Sequence, residues 1–117
     1  VRWTFTVPTG IAAWQRPGSN AGQRFTPRAV KASEDAIAFR ARSAGVPALG
    51  VARVGLRVAI PRKTRGDVDN RLKTVMDALQ RGGIIANDDQ VDAARVVRTL
   101  EPRASPRITL YVIEPVS

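Results

Sequence analysis

The chain has 117 residues, 19 Lys and Arg against 10 Asp and Glu, a formal net charge of +9, and neither cysteine nor histidine. That length bounds it to one domain, residues 1–117, with a modest core, and the charge favours a polyanionic partner such as nucleic acid. The missing residue types exclude a disulfide framework, thiolate or imidazole metal sites, and any Ser-His-Asp triad.

Trp3, Phe5 and Val7 alternate with Arg2, Thr4 and Thr6, a period of two that predicts a first strand. From Gln15 to Pro27 the density of Gly, Pro and Asn predicts a loop. The stretch Arg28 to Ala44 favours a helix, with Ala29, Ala32, Ala36, Ile37, Phe39 and Arg40 in an amphipathic pattern and Gly45 as its stop. Val51 to Ile60 reads as a strand, with Val54, Leu56, Val58 and Ile60 on one face. After the basic loop Pro61–Gly66, the apolar residues Val68, Leu72, Val75, Met76 and Leu79 recur at three and four residues, which predicts a helix from Val68 to Gln80 ended by Gly82-Gly83. Val91 to Leu100 and Arg107 to Ile113 are expected as strands of a hairpin joined by the loop 101–106. The expected fold is α+β, with two helices on a mixed sheet in the order β-α-β-α-β-β. No apolar run approaches the roughly 20 residues that span a bilayer. No signal-peptide pattern is evident at the N-terminus, so no membrane partner and a cytoplasmic setting are expected.

The acids are unevenly placed. Six of the ten (Asp67, Asp69, Asp77, Asp88, Asp89, Asp92) fall within 26 residues of an otherwise basic chain. On the helix starting near Val68, the apolar residues occupy one sector and Asp69, Asn70, Lys73 and Asp77 the other. Asp67 and Asp69 at the helix start can share a Mg²⁺, which takes oxygen ligands and keeps several waters. Asp88 can complete the site from the loop after Gly83, and Lys73 can neutralise charge developing on a phosphate. The same residues also fit structural roles: Asp67 as N-cap, Asp69 against the helix dipole or paired with Lys73, and Asp88-Asp89 as a turn.

Arg62, Lys63, Arg65 and Arg71 adjoin this acidic segment, while Arg16, Arg24, Arg28 and Lys31 flank the first loop and helix. Singly each fits a solvated surface; together they suggest a surface that tracks phosphates. Trp14 and Phe25 suit base stacking or core packing.

The run Asp67-Val68-Asp69-Asn70-Arg71-Leu72-Lys73, then Asp77-Ala78-Leu79, Gly83 and Asn87-Asp88-Asp89-Gln90-Val91, resembles the RusA family of Holliday junction resolvases. Gln15-Arg16-Pro17 and Phe25-Thr26-Pro27 look like its phage and prophage branch. The resemblance implies a Mg²⁺-dependent endonuclease acting as a homodimer on four-way DNA junctions in recombination and repair, with Mn²⁺ as a possible substitute metal and no small-molecule cofactor. It implies Asp67, Asp69 and Asp88 as catalytic metal ligands, Lys73 as catalytic lysine, and Asn70, Asp77 and Asp89 as supporting residues. Asn87 stands where the family often has its first acid and Asp89 where it has a spacer, which leaves Asp88 and Asp89 both as candidate ligands. The alternatives are a metal-dependent nuclease for other branched or single-stranded DNA, and a basic DNA-binding module without catalysis.

Overall fold

A computed structural model describes residues 1–13, 28–64, 68–102 and 104–113, and the backbone of residues 18–20 and 23–25. Its elements are β1 (Arg2–Thr6), β2 (Gly18–Asn20), β3 (Gln23–Phe25), α1 (Arg28–Ser43), β4 (Val54–Ile60), α2 (Asp69–Arg81), a single 3₁₀ turn (Asp88–Gln90), β5 (Val91–Arg98) and β6 (Arg107–Val112). The expected α+β order is present. It gains a short antiparallel β2–β3 ribbon, with Ser19 opposite Arg24 and Asn20 opposite Gln23, inside the stretch expected to be loop. Three residues per strand carry no apolar alternation, so only backbone pairing marks them. Pro27 and Gly66 lie outside the described residues.

The main sheet has the order β1-β6-β4-β5. Strands β4 and β5 run parallel, joined through α2, and β6 is antiparallel to both β4 and β1. The expected β5–β6 hairpin is therefore not formed, because β4 lies between them. The reason is burial. Val54, Leu56, Val58 and Ile60 are at most 1% exposed, and Ala59 on the opposite face is 7% exposed. A strand buried at every position but Arg57 fits the middle of a sheet, with a neighbour on each side, whereas β5, exposed from Asp92 to Arg95, suits an edge.

One core unites the layers. Phe5, Val7, Leu56, Val58, Ile60, Ile108 and Leu110 meet Ile37 and Ala41 of α1 and Val75, Ala78 and Leu79 of α2. Each large side chain fully buried here contributes about 1.5–3 kcal/mol. Both helices thus pack on the same side of the sheet and against each other.

The buried stripe of α1 is Val30, Ser33, Glu34, Ile37, Ala38 and Ala41. It includes Ile37 of the expected pattern but turns Ala29, Ala32 and Phe39 away from the core. Bulk decides this: Val30, Ile37 and Ala41 follow the helical repeat inward and carry Glu34 with them. In α2, Val75 and Leu79 are fully buried as expected, with Val68 and Leu72 packed against the core. Thr74 is buried too, and its hydroxyl donates to Ala12 O (2.9 Å) and Asn70 O (3.3 Å). Gly83 has φ +75°, the left-handed conformation that ends helices. Among the described residues no helix is long and apolar enough to cross a membrane.

Candidate active site

The motif residues divide between two ends of the β4–α2–β5 crossover. At the first end, β4 finishes at Ile60 and the chain turns through residues 61–64 toward α2. Arginines fasten this turn to the end of β5. Arg62 Nε donates to Thr99 O (2.9 Å), and the Arg98 guanidinium donates to Arg62 O (3.3 Å) and Thr64 O.

Val68 occupies the N-cap position of α2, and Asp69 follows, exposed in the first turn. There the helix dipole favours a carboxylate. Asn70 is half-buried. Lys73, one turn beyond Asp69, is about half exposed, with Nζ 3.8 Å from Asp77 Oδ1. Arg71 is half-buried in a cleft of about 390 Å³ lined by Gly10, Ile11, Pro61, Thr64 and Pro106. Burial, and then Arg98, push the Arg71 guanidinium below its ordinary range.

The second end carries Asp88. Asn87 caps the 3₁₀ turn: its side chain accepts from Asp89 N (3.0 Å). Asparagine caps as well as aspartate does, so Asn87 holds the turn without a charge. Gln90, 3% exposed, anchors it. Its Oε1 accepts from Ala86 N (2.8 Å) and Asn87 N (3.0 Å), and its Nε2 donates to Gly50 O (2.9 Å) and Ala52 O (2.8 Å). Arg53 ties the other side, donating to Asp89 O (2.9 Å) and pairing with the Asp92 carboxylate. That guanidinium holds the Asp92 carboxyl below its ordinary range. Asp88 and Asp89 both face solvent.

The topology fixes how far apart these ends are. In the parallel β4–β5 pair Val54 lies beside Val91 and Ile60 beside Arg98. The Asp88 turn, just before Val91, therefore sits at the start of β4, and its Gln90 bonds Gly50 and Ala52 there. Asp69 follows the end of β4. The 13 residues of α2 separate the two by roughly 20 Å at about 1.5 Å per residue. Ligands to one Mg²⁺ stand about 2.1 Å from it. One chain therefore sets Asp69 beside Asn70 and one turn from Lys73, which in turn pairs with Asp77, but does not bring Asp69 to Asp88. Among the described residues no three acids are close enough to hold a metal ion. Asp67 lies outside the described residues. Both ends carry exposed carboxylates, the ligand type a hard divalent cation takes.

The expected DNA-contacting residues also divide. Lys31 and Lys63 are exposed. Arg62 is exposed but directs its side chain at backbone carbonyls, and Arg71 lines the cleft described above. Arg16, Arg65 and Trp14, with the side chains of Arg24 and Phe25, lie outside the described residues. Sequence reasoning misses Gln90, Arg53 and Arg98 as positioning residues. For Gln90 the available signal is its place in the motif; the arginines carry none, since their carbonyl partners are distant in the chain.

Two comparisons with known proteins bear on this arrangement. No curated protein matches the chain. The family model described as Endodeoxyribonuclease RusA matches residues 6–112, nearly the whole chain and both ends of the crossover. The chain belongs to the RusA family of endodeoxyribonucleases, the Holliday junction resolvases that act on DNA phosphodiester bonds.

Proposed function

We propose that this endonuclease resolves four-way junctions by paired, symmetric nicks during DNA recombination and repair. We further propose that it works as a homodimer whose two sites each draw on both copies. The observation that carries the dimer is the separation of Asp69 from Asp88 by the length of α2. In an isologous pair, residue i of one copy meets residue j of the other and the reverse. Asp69 of each copy, with Asp67 two residues before it in the sequence, would then meet the Asp88 turn of its partner, twice. The resulting two-fold axis is the symmetry that two opposed nicks in a junction require.

In each site Asp67, Asp69 and Asp88 would hold Mg²⁺, with Asp89 beside them and Mn²⁺ as an alternative ion. A bound divalent ion supplies a water of lowered pKa and charge for the phosphate oxygens. The chain supplies the rest. Lys73, one turn from Asp69 on the same face, offers its ammonium to negative charge developing on the phosphate. Asp77 lies beside Lys73 and orients it. Asn70 at the helix start is a donor for a phosphate oxygen. Arg62, Lys63 and Arg71 lie at this end, and with Lys31, Arg16, Arg24 and Arg65 they would neutralise the DNA backbone.

The test is cleavage of a labelled four-way junction beside a linear duplex, with Mg²⁺ or EDTA. Paired nicks in the junction alone, abolished by EDTA, are expected. Asp69→Asn should bind the junction yet cut at least about 10²-fold more slowly, beyond the 10- to 100-fold loss typical of groups behind a metal ligand. Tight junction binding with no metal-dependent cutting would overturn the proposal.

A further inference from the structure

We infer that the helix-free face of the sheet is a second DNA-docking surface, which holds the phosphate backbone of a duplex arm. The inference rests on the nuclease reading for the identity of its polyanion.

Residues alternate across a strand, so the register assigns each side chain to a face. The core face carries Leu56, Val58, Ile108 and Leu110. The opposite face carries Arg2 of β1, Arg57 of β4, Arg95 of β5 and Arg107 of β6, one from each strand. Two close approaches agree with the assignment. Thr4 and Thr109 meet through their hydroxyls on this face at 3.2 Å. The Tyr111 ring lies so closely over Gly55 that a Cβ there would fall 2.1 Å from its Cζ. Among the described residues no helix packs here.

All four arginines are exposed. They differ from several other exposed arginines of the described residues in what their donors do. Arg53 is taken up by Asp92, Arg62 by carbonyls at the end of β5, and Arg42 by Gly82 O. Arg2, Arg57, Arg95 and Arg107 make no side-chain hydrogen bond or ion pair among the described residues. The only acid in the four strands, Asp92, is already paired with Arg53. The face thus presents four uncompensated charges and no free carboxylate among the described residues.

The spacing suits a phosphate chain. Arg57 and Arg95 are direct neighbours in register, about 5 Å apart at the backbone, and Arg107 lies one strand and two residues from Arg57, about 8 Å away. Guanidinium forks bind phosphate through paired N–H groups. Interactions of this kind position DNA without reading its sequence. The arginines sit between the Asp69 end and the Asp88 end of β4 and β5, so an arm laid on them would run from one end of the crossover toward the other. A second copy of the chain is the poorer occupant: a two-fold contact through this face would set arginine against arginine.

The test is junction binding in EDTA across a salt series, for the wild type and for the combined substitution Arg57→Gln, Arg95→Gln and Arg107→Gln. The triple change should weaken binding and lower the slope of log affinity against log salt by about 2 to 3, at about 0.9 for each phosphate no longer neutralised. Lysine at the same three positions should restore most of the slope. A second measurement needs no variant: bound junction should protect Arg57, Arg95 and Arg107 from an arginine-selective dicarbonyl reagent, read by mass spectrometry. An unchanged slope in the glutamine variant, or full modification of these arginines in the complex, would overturn the inference. Preferential binding of anionic vesicles through these arginines would do the same. If the wild type cuts junctions while the face proves inert, only this inference falls. If the wild type neither binds nor cuts a junction, the nuclease reading falls with it.

Discussion

Asp69 and Asp88 stand at opposite ends of one parallel crossover, separated by the whole of α2. Two carboxylates so placed cannot serve the same cation from one chain. This gives a direct test of the two-copy site. Asp69→Asn and Asp88→Asn should each be inactive alone, but a mixture allowed to exchange subunits should regain nicking. A heterodimer of the two keeps one complete site, formed by the unaltered Asp69 of one copy and the unaltered Asp88 of the other. A site contained within one chain predicts no recovery in the mixture. A gel of labelled junction after co-refolding reads the difference.

Gln90 should be the residue on which the Asp88 turn most depends. Gln90→Leu removes four hydrogen bonds and leaves Gly50 O and Ala52 O without their side-chain donor. Gly50 O keeps its bond from Ala86 N; with the four lost bonds contributing about 0.5–1.5 kcal/mol each, urea unfolding should show a loss of about 3 kcal/mol. Amide exchange at Asp88–Val91 should rise further than at β4. A loss below about 0.5 kcal/mol, the ordinary range for a surface change, would contradict the anchoring role.

Glu34 should make stability fall as pH rises. It is 4% exposed, and its Oε2 has no hydrogen bond; Arg81 Nε lies 3.3 Å away without hydrogen-bond alignment. Burial pushes the carboxyl above its ordinary 4.5, Arg81 opposes the shift and Asp77 adds to it. Between its ordinary and raised values the folded chain holds a proton that the unfolded chain has released. Stability therefore declines with pH across that window. Glu34→Gln lacks the effect, so the melting temperature of wild type minus variant should drop as pH rises from the ordinary carboxylate range toward neutrality. A difference that stays flat or rises would show that the Arg81 pair outweighs burial.

Gly55 and Tyr111 should be coupled. A methyl at residue 55 meets the far end of the Tyr111 ring, and the half-buried ring must swing off the sheet. Overpacking of this kind costs about 1–3 kcal/mol, with the lower end expected because the ring can move. The penalty of Gly55→Ala should vanish on a Tyr111→Ala background in a double-mutant cycle. Equal penalties in both backgrounds would place the cost in the strand itself.

Much of the architecture is legible in the residues because period reports which face is buried. The alternation Val54-Leu56-Val58-Ile60 and the helical repeat Val68-Leu72-Val75-Leu79 both point inward as expected. Period says nothing about which strand is the neighbour. That is why β5 and β6 read as a hairpin although β4 separates them. For the site, spacing brings Asp69 and Lys73 onto one helix face. It does not reveal that the crossover carries Asp88 to the far end, since chain separation is a poor guide to distance across a parallel connection. Nor does composition distinguish an arginine bonded to a carbonyl, such as Arg62, from one facing solvent, such as Arg57.

The helix between these ends is more than a connector. If two copies exchange ends, the gap between the two catalytic centres is set by the number of residues in α2, at about 5.4 Å per turn. The enzyme then carries a built-in ruler. Lengthening α2 by one turn would move the centres apart along the DNA and shift the permitted offset between opposed nicks, with no change to any catalytic side chain.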